Sequence, residues 1–498
     1  MTTQRYTMPA LISAAFQEHA QHTLYEDEHD QLTFAALGEL CAGGVELLTE
    51  QGIRPGHRVA LMMSDGADYF AALLSVWLCG AVPVPVNRSQ ASETVQFVLG
   101  QCESHMTLVD ASATQTTTDG AVAWRRRRSQ KLVTATVDAD DDAMILYTSG
   151  TTGVPKGVRH GQHALALNAI EMSAFLKLGP SDRLFLNIPF YYSNSISHLL
   201  MALFRGATLC AVHGFLLGDA MITALRQTRA TGFAGVPAHY VRLADLAEGE
   251  IDCELRFLMN SGDHLPVNVL RVLMDSFPRA ELYCVYGISE CAPRVCCLDP
   301  ALLRAKMGSV GHPLPATEVT IRDENGEQVP SGELGEVYVR SACLMKEYFR
   351  NPEATAKSMG EHGFRTGDMG YVDEDGCLFL SGRLDSVFKS GGEKVSCRLI
   401  EETIRDSGHV SDALTDVVVT ESPDHYLGKV ARVYYVPRSD DDTALQAVKR
   451  ELKSVLPKSH IPREYVAIRE IQRSPSGKVV KQSLSDPDNV LPKPTESS

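Results

Sequence analysis

The stretch "YTSGTTGVPKGV", residues 147–158, follows directly on a short apolar run, "MILY" (144–147). Glycine accepts positive φ at little cost, so Gly150 and Gly153 let successive backbone N–H groups converge on an anion. The hydroxyls of Thr148, Ser149, Thr151 and Thr152 add donors, and Lys156 adds a mobile positive charge. The common nucleotide loop G-x-x-x-x-G-K-[ST] does not fit. Pro155 stands where that motif has its second glycine, and Gly157 follows Lys156. A phosphate-holding loop of another kind is expected, placed at the end of a buried strand.

Outward from this loop, strand-like apolar runs alternate with helical patterns. "RLFLNIPF" (183–190), "ATLCAVH" (207–213), "GFAGV" (232–236), "LRFLMNS" (255–261) and "ELYCVYG" (281–287) join "MILY" as strands. "HALALNAIEMSAFLKL" (163–178), "SISHLLMALFRG" (195–206) and "LPVNVLRVLMDSFP" (265–278) read as helices. That rhythm predicts an α/β fold with parallel sheet and helices on its faces. From 308 to 384 short strands are broken by "DENG" and "DEDG" turns, which predicts a small β-barrel-like subdomain. After residue 385 a helix, two strands, a helix and a strand suffice for a separate small α+β domain, which the resemblance given below implies is mobile. The expected division is 1–384 and 385–498.

The chain has 498 residues, and its 47 Lys and Arg against 62 Asp and Glu give a net charge of −15. That balance disfavours nucleic acid and anionic membrane and favours small-molecule chemistry. The basic run 125–128 is followed closely by acidic residues and reads as a solvated loop. Twelve cysteines without a C-x-x-C pair, and an N-terminus without a basic-then-apolar leader, predict reduced thiols and a cytoplasmic location. "YFAALLSVWLCGAVPVPV" (69–86) is interrupted by Gly80, Pro83 and Pro85, so it reads as a buried helix and a short strand, with no membrane span.

Three further segments carry chemistry. "YGISEC" (286–291) again ends a strand, where open parallel sheets place their ligands. Its Glu290 offers a hard oxygen for Mg²⁺ bridging phosphate oxygens. In "FRTGDMGYVDEDGCLFLSGRLDSVFKSGGEKV" (364–395), Asp368 is positioned to accept the two hydroxyls of a ribose, and Arg383 and Lys389 lie beyond the "DEDG" turn. Near the end, "SPSGKVV" puts Lys478 after a Ser-Gly turn; this is a solvated corner unless the C-terminal domain brings it to the phosphate loop.

In this order and spacing the four segments resemble the adenylate-forming superfamily of acyl- and aryl-CoA synthetases, nonribosomal-peptide adenylation domains and luciferases. Supporting pieces are "GAVPVPVN", "GVPAHY", "LMNSGDHLP" and "GEVYVRSACLMKEYFRNPEATA". "IPFYYS", "SECAPRV" and "KSGGEKVS" are most similar to acyl-CoA and acyl-carrier-protein ligases. The resemblance implies adenylation of a small carboxylic acid by ATP with Mg²⁺, then transfer to the thiol of CoA. Two alternatives stay open: transfer to a carrier protein's phosphopantetheine arm, and a catalytically silent binding protein that kept the fold. Monomer and homodimer are both open.

By the same resemblance residues 148–156 hold the β- and γ-phosphates, and Thr152 and Glu290 place Mg²⁺. Asp368 and Arg383 bind the ribose, and Tyr286 flanks adenine with Asp263 near the base. Gly287, Ser289 and Lys389 count with the nucleotide-binding set. Lys478 bridges the attacking carboxylate and the α-phosphate. Asp385, in "GRLD", matches the hinge about which the small domain turns between half-reactions, bringing 390–395 beside a pantetheine tunnel. Tyr191, Tyr192, His198, Val236, Ser261, Gly262 and Cys284 are expected to line the acid's pocket, a mixture suited to an apolar acyl or aryl group.

The chain departs from the family pattern in places. His160 lacks the threonine that often precedes it, and Phe190-Tyr191-Tyr192 stands where many members have a histidine after an aromatic. Tyr192 or His198 then takes the gating place. Asp263-His264 replaces smaller residues; a polar acid and a buried hydrogen bond are equally open explanations. The lack of a large insertion after the β-rich part disfavours the acyl-AMP-releasing fatty-acid subgroup.

Overall fold

Five of the six strand-like runs form one parallel array. In the computed structural model Glu281–Gly287, Phe257–Asn260, Gly232–Gly235, Arg183–Leu186, Thr208–Ala211 and Thr23–Glu26 lie side by side, each neighbouring pair parallel. The structure describes residues 4–112, 121–148, 154–214, 216–247, 249–384, 387–391, 393–407, 409–439, 443–473 and 479–491. Parallel neighbours need a crossover, and the helices Ser193–Arg205, Asp219–Gln227, Pro237–Leu246 and Val267–Ser276 supply it. Thr208–Ala211, Gly232–Gly235 and Phe257–Asn260 are buried throughout, as strands covered on both faces must be.

The sheet continues beyond Glu281–Gly287. Arg294–Cys297 turns back antiparallel on it, followed by Ser309–Pro313, Leu378–Arg383, Gly363–Val372, Gly335–Ser341 and Thr317–Arg322. The two turn signals close as expected: Gly326 and Gly376 both sit at φ +83°. A second, four-stranded parallel sheet is built from Val82–Pro85, Arg58–Met62, Met106–Val109 and Ala121–Ala123. The apolar stretch 69–86 becomes the helix Ala67–Leu78, buried from Tyr69 onward, a turn at Gly80 with φ +68°, and the edge strand Val82–Pro85. Prolines are tolerated there because an edge strand can lack an N–H on its outer side. No helix of the described residues is long and apolar enough to cross a membrane.

"MILY" is a strand but not a member of the parallel array. Asp142–Thr148 pairs antiparallel with Lys156–Gly161, which in turn pairs antiparallel with Glu347–Tyr348. The connection from Thr148 to Lys156 is too short for a helical crossover, so the loop joins a hairpin.

Residues beyond the β-rich part gather around their own core, which includes Phe388, Val395, Ile400, Val417, Val433, Leu445 and Leu452. Helices Cys397–Arg405 and Thr443–Val455 flank a sheet of Leu414–Asp424, Gly428–Pro437 and Glu464–Ala467. Ser396 caps the first helix by accepting the Leu399 N–H at 3.2 Å.

Candidate active site

Thr148 and Lys156 are cross-strand partners at the mouth of the hairpin. Lys156 Nζ lies 5.0 Å from the centre of the Tyr348 ring, whose Oη donates to Glu290 Oε1 at 2.6 Å. The cation beside the loop and the expected metal-binding carboxylate therefore meet through one aromatic side chain. Glu290 is further fixed by its own carbonyl, which accepts Met345 N–H at 2.7 Å. Burial raises the Tyr348 hydroxyl's pKa, and the neighbouring carboxylate raises it further, so it stays a donor.

The segment "YGISEC" is held against the hairpin by His160, whose Nε2 meets the Ser289 carbonyl at 2.8 Å. His160 is fully buried, and burial pushes its imidazole down to about 4. It is a neutral donor at physiological pH, a clamp on Ser289 rather than an acid or base. Gly287 cannot carry a side chain: a Cβ there would meet the Pro293 carbonyl oxygen at 2.0 Å.

Asp368 and Arg383 are opposite each other across two antiparallel strands, and Arg383 Nη1 donates to Asp368 Oδ1 at 3.0 Å. Tyr286 Oη donates to Asp368 Oδ2, so the residue expected at adenine and the pair expected at ribose form one buried-to-surface cluster. Asp368 N–H is tied to Thr366 Oγ1 at 3.0 Å, which fixes the carboxylate's backbone. Burial, together with the charge of Asp368, holds the Tyr286 hydroxyl well above its ordinary range.

Glu290 fits a magnesium-assisted site on its donor chemistry. It is a carboxylate with Oε1 oriented by Tyr348 and a second oxygen that takes no hydrogen bond among the described residues. Mg²⁺ is commonly held by one or two carboxylates plus substrate phosphates. Among the described residues no group of three His, Cys, Asp or Glu could hold a metal alone.

The Asp263-His264 pair resolves toward hydrogen bonding. Asp263 closes the turn after its strand, its Oδ1 accepting His264 N–H at 2.8 Å and its carbonyl accepting Asn260 Nδ2 at 3.0 Å. His264 Nε2 reaches Glu402 Oε1 at 2.8 Å on the helix Cys397–Arg405, and Arg398 Nε reaches the same oxygen at 2.7 Å. Burial lowers the imidazole below its usual pKa despite Glu402, so His264 is a neutral donor and Arg398 the permanent cation. Lys389 is exposed and pairs with Glu324 at 3.3 Å.

Among the residues expected at the acid's pocket, the Tyr191 and Tyr192 rings lie 4.4 Å apart just before helix Ser193–Arg205. Val236 and Cys284 are buried, Gly262 takes φ +96°, and burial pushes the Cys284 thiol up to about 12. His198 is buried with Nδ1 on the Asn194 carbonyl, and the hollow beside it is too narrow for a water molecule. Asn194 Nδ2 donates to Ser261 Oγ at 2.9 Å, and its Oδ1 accepts Arg294 Nη2.

Ser149, Gly150, Thr151, Thr152, Gly153, Asp385 and Lys478 lie outside the described residues. Arg473 and Val479, which flank the Lys478 segment, pair antiparallel. Tyr348 and Arg294, which the structure brings to the candidate site, were not singled out by the sequence reading, and Asn194 was covered only by the segment 191–198. For Tyr348 the signal was present: "KEYF" lies in a segment already grouped with the site. For Arg294 too the signal was present: it lies in "SECAPRV" (289–295), directly before the apolar run "VCCL" (295–298).

Comparison with known proteins places the chain in a family. The profile of the AMP-binding enzyme family matches residues 12–349. A long-chain-fatty-acid–CoA ligase of Mycobacterium tuberculosis is 29% identical over 477 residues, covering 92% of this chain and 93% of that protein. A feruloyl-CoA synthase of Amycolatopsis sp is 29% identical over 483 residues, covering 90% of this chain and 92% of that one. Among solved structures, the O-succinylbenzoate coenzyme A synthetase of Bacillus subtilis with ATP and magnesium superposes with a TM-score of 0.84 at 23% identity. It covers 96% of this chain and 99% of its own.

Proposed function

The chain belongs to the AMP-binding enzymes, and on that premise we propose that it is an ATP-dependent acid–thiol ligase. The observation that carries the reading is a pair of clusters tied to one segment, "YGISEC", which supplies Tyr286 to one and Glu290 to the other. Asp368, Arg383 and Tyr286 form one, and Lys156, Tyr348 and Glu290 the other.

In the first half-reaction a carboxylate oxygen of the acid attacks the α-phosphorus of ATP. The bond from that phosphorus to the bridging oxygen breaks, pyrophosphate leaves, and an acyl-AMP mixed anhydride remains. Such transfers need positioning and charge neutralisation more than covalent help. Lys156 and the loop hold the polyphosphate, Asp368 accepts the ribose hydroxyls, and Tyr286 flanks adenine with Asp263 near the base. Glu290 and Thr152 would hold Mg²⁺, which would supply charge neutralisation to the polyphosphate. Lys478 bridges carboxylate and α-phosphate, and losing that charge costs about 2.7–4 kcal/mol of transition-state stabilisation, judged from comparable donors.

In the second half-reaction a thiol sulfur attacks the acyl carbon, the carbon–oxygen bond to AMP breaks, and the thiol proton passes to solvent. Residues 385–498 turn about Asp385 between the two steps, withdrawing Lys478. CoA is the acceptor in this reading, as in the names of the CoA ligases it is similar to. Incubation with ATP, an acid panel and either CoA or a phosphopantetheinylated carrier protein, read by mass spectrometry, tests it. CoA thioester is expected; thioester on the carrier protein alone, or none with any acid, contradicts it.

A further inference from the structure

Arg294 is a cation without an anion. Its side chain is fully buried, and burial pushes the guanidinium down to about 10, which leaves it charged at neutral pH. Among the described residues no carboxylate pairs with it and its Nε has no hydrogen-bond partner. Its one recorded side-chain bond is from Nη2 to the neutral Asn194 Oδ1. Burying a charge costs several kcal/mol unless it is paired, and a buried arginine is ordinarily found with its acid.

The arrangement around it is fixed rather than accidental. Asn168 Oδ1 accepts the Arg294 N–H at 3.1 Å and Asn168 Nδ2 donates to the Arg294 carbonyl at 2.8 Å, so the backbone cannot swing away. Asn194 turns its carbonyl to Arg294 and its amide to Ser261, which orients both. His198, buried and with burial and Arg294 pushing it down to about 3, adds no charge. Arg294 opposes Gly287 across the strand pair and stands four residues beyond Glu290. Asn194 and Ser261 come from two segments expected to line the acid's pocket.

We propose that Arg294, oriented by Asn194, reads a second oxyanion on the far end of the acid substrate, making the preferred acid a dicarboxylate or a sulfonated carboxylate. This rests on the acid-activating reading above and adds the substrate class. A guanidinium fork matches an oxyanion with parallel N–H donors. A site built to pair a polar group rejects analogues lacking it strongly, because the buried partner is then left alone.

Acid-dependent exchange of labelled pyrophosphate into ATP tests this with matched acids of equal length. One arm ends in carboxylate, one in sulfonate, and one in the uncharged primary amide. Wild-type enzyme is expected to favour at least one oxyanion arm over the amide by 100-fold or more in kcat/KM. Arg294→Met is expected to erase that ratio, and Arg294→Lys to restore part of it. Because the ratio is taken within one preparation, partial folding of a variant cancels. Should neither variant fold, wild type decides alone: the preferred acid raises its melting temperature and the amide does not. Wild-type preference for the amide overturns this inference and leaves acid activation standing. Exchange with none of the acids, these or an apolar panel, overturns both.

Discussion

Glu402→Gln removes one charge from the contact between the large core and the helix Cys397–Arg405 while keeping the side chain's size. In the wild type, burial raises the Glu402 carboxyl, but His264 and Arg398 outweigh it and hold it at about 2, against an ordinary 4.5. At about 1.36 kcal/mol per pH unit that gap is worth roughly 3 kcal/mol, an upper bound because the side chain keeps 29% of its exposure. The sign follows from a depressed carboxyl. Its stabilisation is complete above pH 4.5 and is lost as pH falls through about 2. Urea unfolding of wild type and variant, followed by a probe in residues 385–498, should differ by up to about 3 kcal/mol at pH 5–7. The difference should shrink steadily below pH 4.5. A His264→Ala cycle should show coupling of at least 0.5 kcal/mol, as contacting residues do. A difference that is absent at pH 7, or that does not change on acidification, refutes the charge-assisted account of this contact.

Further outcomes follow from the site. Asp368→Ala removes the acceptor of Tyr286 and Arg383; charge-assisted bonds of about 1.5–3 kcal/mol predict a loss near 100-fold in kcat/KM for ATP, measured by pyrophosphate exchange at varied ATP. A loss under threefold contradicts the ribose assignment. Gly287→Ala forces a Cβ into the Pro293 carbonyl and should cost about 1–3 kcal/mol or more, seen as a lowered melting temperature. His160, buried neutral, contributes stability that is complete above its unfolded 6.5 and lost as pH falls through about 4. The wild type should weaken across that window by up to about 3 kcal/mol, and His160→Gln should flatten the profile.

The sequence showed this site unevenly, for physical reasons. Strands 183–186, 208–211, 232–235, 257–260 and 281–287 were readable because each is a short apolar run and helical patterns recur among them, which points to a parallel array. The partner of "MILY" was not, since an apolar run of four buries equally well in either kind of sheet. Asp368 and Arg383 were paired by the family resemblance, and across the "DEDG" hairpin they stand opposite each other. Tyr348 and Glu290, 58 residues apart, meet only through tertiary packing, which no local pattern encodes. The same holds for His264, whose partner on helix Cys397–Arg405 comes from a different core. Arg294 was the hardest, because an arginine in a strand ordinarily points to water, and only the fold shows that this one does not.

The central claim is that a hairpin loop holding ATP's polyphosphate and a lysine from the C-terminal unit cooperate in adenylation and part company before thioester formation. Measuring the two half-reactions separately in Lys478→Ala tests it most directly. Acid-dependent pyrophosphate exchange should fall at least 100-fold, while thioester formation from supplied acyl-AMP and CoA stays within threefold of wild type. Equal loss of both steps, or full exchange in the variant, would contradict the account.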